Sequence, residues 1–226
     1  MLKNEFNIEN KYEIGVDECA RGPMFGRLYT AAVILPKENF RHEDMKDSKK
    51  IKSKIKMREL SDYIKQNAHS WYIDYIEADE IDKINIRQAV LKSMRRSIQE
   101  VILKGIHSND YLNTFLVIDG NDFSEFKELS TSQIIPHTCV EKGDNTYSFI
   151  AAASILAKCA HDEYIENLCI EYPELQTKYK LADNVGYGTK YHLEGIKEYG
   201  ITQWHRKTYG CCKNAKYTPI TIKNDI

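Results

Sequence analysis

The sequence has no surplus of charge of either sign. Its 32 lysine and arginine residues stand against 33 aspartate and glutamate residues, a formal net charge of −1. Proteins that hold nucleic acid by bulk charge are basic, so the balance argues against that class and leaves room only for a local basic groove. The six cysteines, at 19, 139, 159, 169, 211 and 212, form no CxxC pair, and adjacent Cys211 and Cys212 make a poor disulfide framework. They read as thiols of a reducing compartment. The longest apolar run, Phe149 to Ala157 broken by Ser154, is too short to span a bilayer. The opening residues, MLKNEFNIENKYEI, carry charges throughout and contain no apolar core of a signal peptide, so a cytoplasmic protein is expected. The seven histidines form no HExxH and no zinc-spaced pairing with cysteine. Walker A and GxGxxG motifs are absent, and neither Ser48 nor Ser154 sits in a GxSxG elbow. No internal repeat or low-complexity linker occurs.

What is present fits one large domain with a small helical piece appended: 226 residues, 42% apolar and 29% charged. Tyr12 to Pro36 organises the rest. A buried strand (Ile14, Val16) ends in Asp17-Glu18, a turn with Gly22 and Pro23 follows, and a second apolar strand runs from Leu28 to Leu35. Asp47-Ser48 reads as a helix start, with Ile51, Ile55, Leu60 and Ile64 at helical spacing. The lysines at 49, 50, 52, 54 and 56 on that helix are either a solvated face or a phosphate-facing ridge. Trp71 to Ile76 alternates as a third strand, and Ala78 to Lys104 reads as one long helix. Phe115 to Ile118 is a central strand ending at Asp119-Gly120. Asp122 to Thr131 is a polar excursion, and Gln133 to Val140 a strand weakened by Pro136. Asp144 to Leu168 is a helix whose small residues suit close packing on a sheet, and a short helix falls at Leu193 to Tyr199. The mixture predicts an α/β fold with helices on the faces of its sheet.

Carboxylates are rarely left beside a core unless a partner compensates them. Asp17 and Glu18 stand at the carboxyl end of an apolar strand, where ligand sites of α/β sheets gather. Asp79-Glu80 and Asp162-Glu163, in helical and solvated contexts, carry no such message. Asp119 repeats the strand-end pattern, although a turn-former ahead of Gly120 would look the same. Asp144 also suits an N-cap. If these acids converge, their mutual repulsion calls for divalent cations, and hard oxygen donors suit Mg²⁺ or Mn²⁺. Two such ions can activate a water and stabilise the leaving oxygen of a phosphodiester.

The motifs IGVDECARGPMFG, AAVILP, DSKK, EADEIDKINIRQAVLKSMRRSI, VIDGN, KGD, AAASILAKCAHDEY, GYGTKYH and GITQWHRKTYG occur in order between Ile14 and Gly210. Together they resemble the type 2 ribonuclease H family, specifically ribonuclease HII. The resemblance implies a ribonuclease-H-like mixed five-stranded sheet flanked by helices, with a C-terminal helical segment. It implies one catalytic domain over residues 1–212 and a polar tail over 213–226. It implies a monomer that cleaves the RNA strand of RNA/DNA hybrids and, in ribonucleotide excision repair, incises 5′ of single ribonucleotides embedded in duplex DNA. The products would carry 3′-hydroxyl and 5′-phosphate ends. The family's metal-binding acids fall on Asp17, Glu18, Asp119 and Asp144, with Asp17 and Asp119 the most central ligands of a two-metal Mg²⁺ or Mn²⁺ site. Its ribose-reading Gly-Arg-Gly falls on Ala20, Arg21 and Gly22, and its sugar-stacking tyrosine on Tyr187. By residue type alone, Tyr187 would be a core aromatic between glycines.

Ala20 departs from the family pattern, since a methyl group restricts the positive φ angles that glycine allows and hinders close approach of a sugar. Altered discrimination of junction substrates is therefore expected. Beside the family pattern, the interval from Asp119 to Asp144 reads as longer than in bacterial relatives, with residues 122–131 as the expected insertion. Lys49 and Lys158 are either backbone-phosphate contacts or solvated lysines. His192, His205 and Arg206 match the family's C-terminal motif and read as structural hydrogen-bonding residues. The opening motif lacks the Gly-Lys-Gly-Asp form of the ribonuclease HIII branch. The tail shows no clear clamp-binding motif. Two rivals are another ribonuclease-H-like nuclease and a hybrid-binding module without catalysis.

Overall fold

The computed structural model describes residues 1–221, and the last five residues of the expected tail lie outside them. The chain divides into two compact units. The first comprises Met1–Cys19, Tyr29–Tyr75 and Val90–Ala160; the second comprises Ala20–Leu28, Ile76–Ala89 and the chain from His161 onward. Among the described residues no helix is long and apolar enough to cross a membrane.

The first unit is built on a mixed five-stranded sheet. Its strands are β1 (Tyr12–Cys19), β2 (Leu28–Ile34), β3 (Ser70–Ile76), β4 (Thr114–Asp119) and β7 (His137–Val140), in the order β3-β2-β1-β4-β7. β2 runs antiparallel to β1, while β4 is parallel to both β1 and β7. Every residue of β2 is buried, as an apolar strand covered on both faces should be. A two-stranded ribbon, β5 (Phe126–Lys127) and β6 (Ile134–Ile135), occupies the excursion after β4.

Helix α4 (Ser148–Glu171) lies against β1 at closest range at Gly15. A Cβ there would stand 2.6 Å from the carbonyl carbon and oxygen of Phe149, so only glycine fits. Ala151, Ala152, Ala153 and Ala157 of α4 are all fully buried, as their small size anticipates. On β2, the Thr30 hydroxyl hydrogen-bonds those of Ser93 (2.8 Å) and Ser97 (2.7 Å), which satisfies the polar groups buried there.

Several boundaries differ from the sequence expectation, each for a local reason. Asp47 accepts from the Lys49 N–H and closes a 3₁₀ turn at Ser48–Lys50, while Ser53 caps α1 (Lys54–Asn67). Ile55 is consequently exposed, with Leu60 and Ile64 buried. The long helix is broken in two, α2 (Ala78–Ile84) and α3 (Ile86–Gly105), because Asn85 adopts φ 66° and its side chain accepts from the Gln88 N–H. Pro136 separates β6 from β7. Asp144 does not cap α4, since it sits in the 3₁₀ turn Gly143–Asn145 ahead of the helix.

The second unit has its own core, in which Phe25, Ile165, Leu175, Tyr179, Leu181, Ile196 and Ile201 are buried together. Helices α5 (Pro173–Tyr179), α6 (Leu181–Asn184) and α7 (Lys190–Tyr199) surround it. The described part of the tail is tied down. Thr218 N–H donates to the Ile201 carbonyl, and Gln203 exchanges two bonds with Ile220, whose side chain is buried.

Candidate active site

The parallel register of β1 and β4 brings the acids together. Val16 pairs with Ile118, so the next residues along, Asp17 and Asp119, emerge level at the carboxyl ends of neighbouring strands. One side-chain oxygen from each of Asp17, Glu18 and Asp119 lies within 4.8 Å of the others. Asp17 is buried, and its carboxyl accepts from the Glu18 N–H (2.7 Å) and the Ser154 side chain. Burial, followed by the charges of Glu18 and Asp119, pushes the Asp17 carboxyl well above the usual carboxylate range. Burial and the Glu18 charge raise Asp119 too, against the opposing pull of the Gly143 N–H at 2.6 Å.

Asp144 stands outside that trio but on the same fastening, because its own N–H, like that of Gly143, donates to Asp119. Its carboxylate accepts from Asn145 Nδ2 at 3.0 Å, and the same amide reaches Asp47 at 3.2 Å. Burial and the charges of Asp119 and Asp47 raise its pKa. Asp47 moves the other way: burial would raise it, but the Lys49 N–H, the Asn145 amide and the Lys49 charge lower it. Lys49 is held charged, since the fields of Asp144, Asp47, Asp17 and Asp119 outweigh its partial desolvation.

The donor set is entirely carboxylate oxygen, all four acids are buried or half-buried, and Lys49 lies in the field of Asp17, Asp119 and Asp144. Such a cluster suits a hard divalent cation, whose charge would oppose the upward shift of these carboxyls. Lys158 is half-buried on α4, one turn beyond Ser154 and so on the same helical face. The lysines at 49, 50, 52, 54 and 56 are all exposed, and Lys50 also donates to the Asn145 side chain.

The remaining expected residues belong to the second unit. Ala20 is buried and adopts φ 70°, so its methyl does not prevent the left-handed conformation that glycine would take there. Arg21 and Gly22 are exposed. Tyr187 is no core aromatic: 45% of it is exposed, and a Cβ on Gly22 would stand 3.5 Å from its ring. Sequence reading passed over Asp47, Asn145 and Ser154. The signal for Ser154 was its interruption of an otherwise apolar run, and that for Asp47 was an acid heading a lysine-rich motif.

Residues 14–212 match the family model described as Ribonuclease HII. A ribonuclease HII of Parabacteroides distasonis is 43% identical over 199 residues, covering 88% of this chain and 90% of that protein. Among solved structures, the ribonuclease H2 of Pyrococcus horikoshii superposes with a TM-score of 0.69 at 22% identity, over 89% of this chain and 95% of that one. A Bst-RNase HIII in complex with Mn²⁺ gives a TM-score of 0.54 at 14% identity, over 82% and 69% of the two chains. The last two likenesses concern the fold.

Proposed function

Because the chain belongs to the ribonuclease HII family, and is therefore a ribonuclease H endonuclease acting on RNA/DNA hybrids, we propose that it also incises duplex DNA immediately 5′ of a single embedded ribonucleotide. The observation that carries the chemistry is the convergence of Asp17, Glu18 and Asp119 at the ends of two parallel strands, with Asp144 fastened beside them. These acids would hold two Mg²⁺ or Mn²⁺ ions, which supply activation of a water and charge stabilisation at the phosphate. In the reaction an O–P bond forms from water and the P–O3′ bond breaks. The departing oxygen takes up a proton, leaving 3′-hydroxyl and 5′-phosphate ends.

The chain's own groups orient and select. The Ser154 hydroxyl and the Glu18 N–H fix the Asp17 carboxylate, and the Gly143 and Asp144 N–H groups fix Asp119. Preorganised acids need no rearrangement when charge develops. Lys49 and Lys158 suit contacts to backbone phosphates, which position a duplex without reading its sequence. The backbone of Ala20, Arg21 and Gly22 would read the ribose 2′-hydroxyl, the group that distinguishes RNA from DNA. The half-exposed Tyr187 ring offers a flat face to the neighbouring deoxyribose, and a second hydroxyl at that sugar would crowd it.

The test uses three duplexes: one with a single ribonucleotide, one all-DNA, and a long RNA/DNA hybrid. Each is incubated with Mg²⁺, with Mn²⁺, and with either metal plus EDTA. Incision 5′ of the lone ribonucleotide, abolished by EDTA, is the expected result. Cleavage confined to the long hybrid would refute the junction activity. Binding of the hybrid without any cleavage would refute catalysis altogether.

A further inference from the structure

Arg206 and its neighbour His205 are buried with no part in the chemistry above, and both reach the segments assigned to ribonucleotide recognition. The Arg206 side chain is fully buried, at 0% exposure. Its Nη2 donates to the Ala20 carbonyl (2.8 Å), Nη1 to the Arg21 carbonyl (3.1 Å) and Nε to the Gly26 carbonyl (3.0 Å). The Tyr209 hydroxyl donates to the Arg21 carbonyl as well, at 3.1 Å. The backbones are joined too: Arg206 N–H donates to the Met24 carbonyl and Gly26 N–H to that of Trp204, both at 2.8 Å.

His205 acts on the other segment. Its Nδ1 accepts from the Thr202 N–H at 2.9 Å, so that nitrogen carries no proton. The proton must then sit on Nε2, which donates to His192 Nε2 at 3.2 Å. His192 is left with its proton on Nδ1, and this donates to the Tyr187 carbonyl at 2.9 Å. One tautomer set satisfies every nitrogen, with both rings neutral.

We propose that the His205–Arg206 pair is the positioning element of ribonucleotide recognition. Arg206, assisted by the Tyr209 hydroxyl on the Arg21 carbonyl, fixes the Ala20 and Arg21 peptides, and His205, through His192, fixes that of Tyr187. This rests on the recognition roles given above. Burying a guanidinium is costly unless its donors are met, and here its planar fork meets three carbonyls of the segment from Ala20 to Gly26. A lysine has a single ammonium and could not span them. The fork also holds the two peptides that follow the N–Cα bond of the alanine at φ 70°, through the Ala20 and Arg21 carbonyls.

The test compares Arg206→Lys, Tyr209→Phe and Leu181→Ala with the wild type. Leu181→Ala is a core truncation in the same unit that matches loss of stability and removes none of the hydrogen bonds named above. Two ratios are read: incision of the single-ribonucleotide duplex over the long hybrid, and, in EDTA, affinity for the single-ribonucleotide duplex over the all-DNA duplex. Arg206→Lys should lower both about tenfold or more, the scale of losing a hydrogen bond from a charged donor. Tyr209→Phe should lower both about threefold with melting unchanged, as befits one neutral hydrogen bond. Leu181→Ala should leave both at the wild-type value.

Should Arg206→Lys fail to fold, Tyr209→Phe decides alone. Wild-type ratios in the arginine and tyrosine variants, or an equal shift in Leu181→Ala, would overturn the proposal. A wild type with no preference for the ribonucleotide in either ratio would overturn the recognition roles and this proposal together. A wild-type preference that survives in the variants would overturn this proposal only.

Discussion

Replacing Ala20 with glycine tests the recognition segment with little disturbance to the fold. Alanine at φ 70° carries about 1–2 kcal/mol of left-handed strain that glycine does not. Against that gain, Ala20→Gly removes a buried methyl worth about 0.8 kcal/mol. It also frees the unfolded chain, at a cost of about 0.4–1 kcal/mol. The terms nearly cancel, so stability should change by less than about 1 kcal/mol, and melting by no more than about 2–4 °C for a chain of this length. Activity should respond differently. If about 1 kcal/mol of the strain opposes the adjustment of this segment to an arriving sugar, single-ribonucleotide incision rises about fivefold. Cleavage of the long hybrid serves as the internal reference. The assay is single-turnover incision of both substrates beside a thermal melt. An unchanged rate and preference would refute the reasoning and show that the peptide's geometry is set without regard to the side chain at 20.

Further predictions concern the acids, the excursion after β4 and the sheet. Asp17→Asn should abolish cleavage while raising the melting temperature of the metal-free protein, because it deletes one of the like charges held within 4.8 Å. Adding Mg²⁺ or Mn²⁺ should stabilise the wild type and leave that variant nearly unmoved; equal stabilisation of both would refute the metal assignment. The Glu128 carboxylate accepts from the N–H and hydroxyl groups of Ser130 and Thr131 and from Gln99, which hold its pKa down at about 2 despite burial. A depressed acid contributes stability that is complete above its unfolded pKa near 4.5 and lost as pH falls toward about 2. Glu128→Gln should therefore cost about 1–3 kcal/mol at neutral pH and flatten the acid limb of a melting-versus-pH curve. Gly15→Ala should prevent folding, read as loss of cooperative melting, since its Cβ would meet the Phe149 backbone at 2.6 Å.

The sheet was legible because its strands are short, largely apolar runs, two of which, β1 and β4, carry acids at their carboxyl ends. What escaped were the places where a side chain overrides the pattern. Asn85, by turning to positive φ, splits a helix whose apolar stripe runs on unbroken across it. Asp47 looked like a helix cap because it does cap, but a 3₁₀ turn rather than the helix that begins seven residues further on. Asp17, Glu18 and Asp119 could be picked out at strand ends, yet their approach depends on a parallel register that no local pattern encodes. Tyr187 shows the converse limit, for its flanking glycines say turn and say nothing about exposure.

The level emergence of Asp17 and Asp119 from adjacent parallel strands makes the spacing of these two acids a property of the main chain. Rotamers adjust it only slightly, and a slip of one residue along the ladder would turn Asp17 to the opposite face of the sheet. Such a site cannot be tuned continuously. Evolution can reset its gauge only in discrete steps, by exchanging aspartate for glutamate and lengthening an arm by one methylene. The mixed composition here, glutamate at 18 beside aspartates at 17 and 119, is one setting of that dial. The Phe126–Ile135 ribbon lies in the chain beyond β4, outside both of the strands that carry the carboxylates.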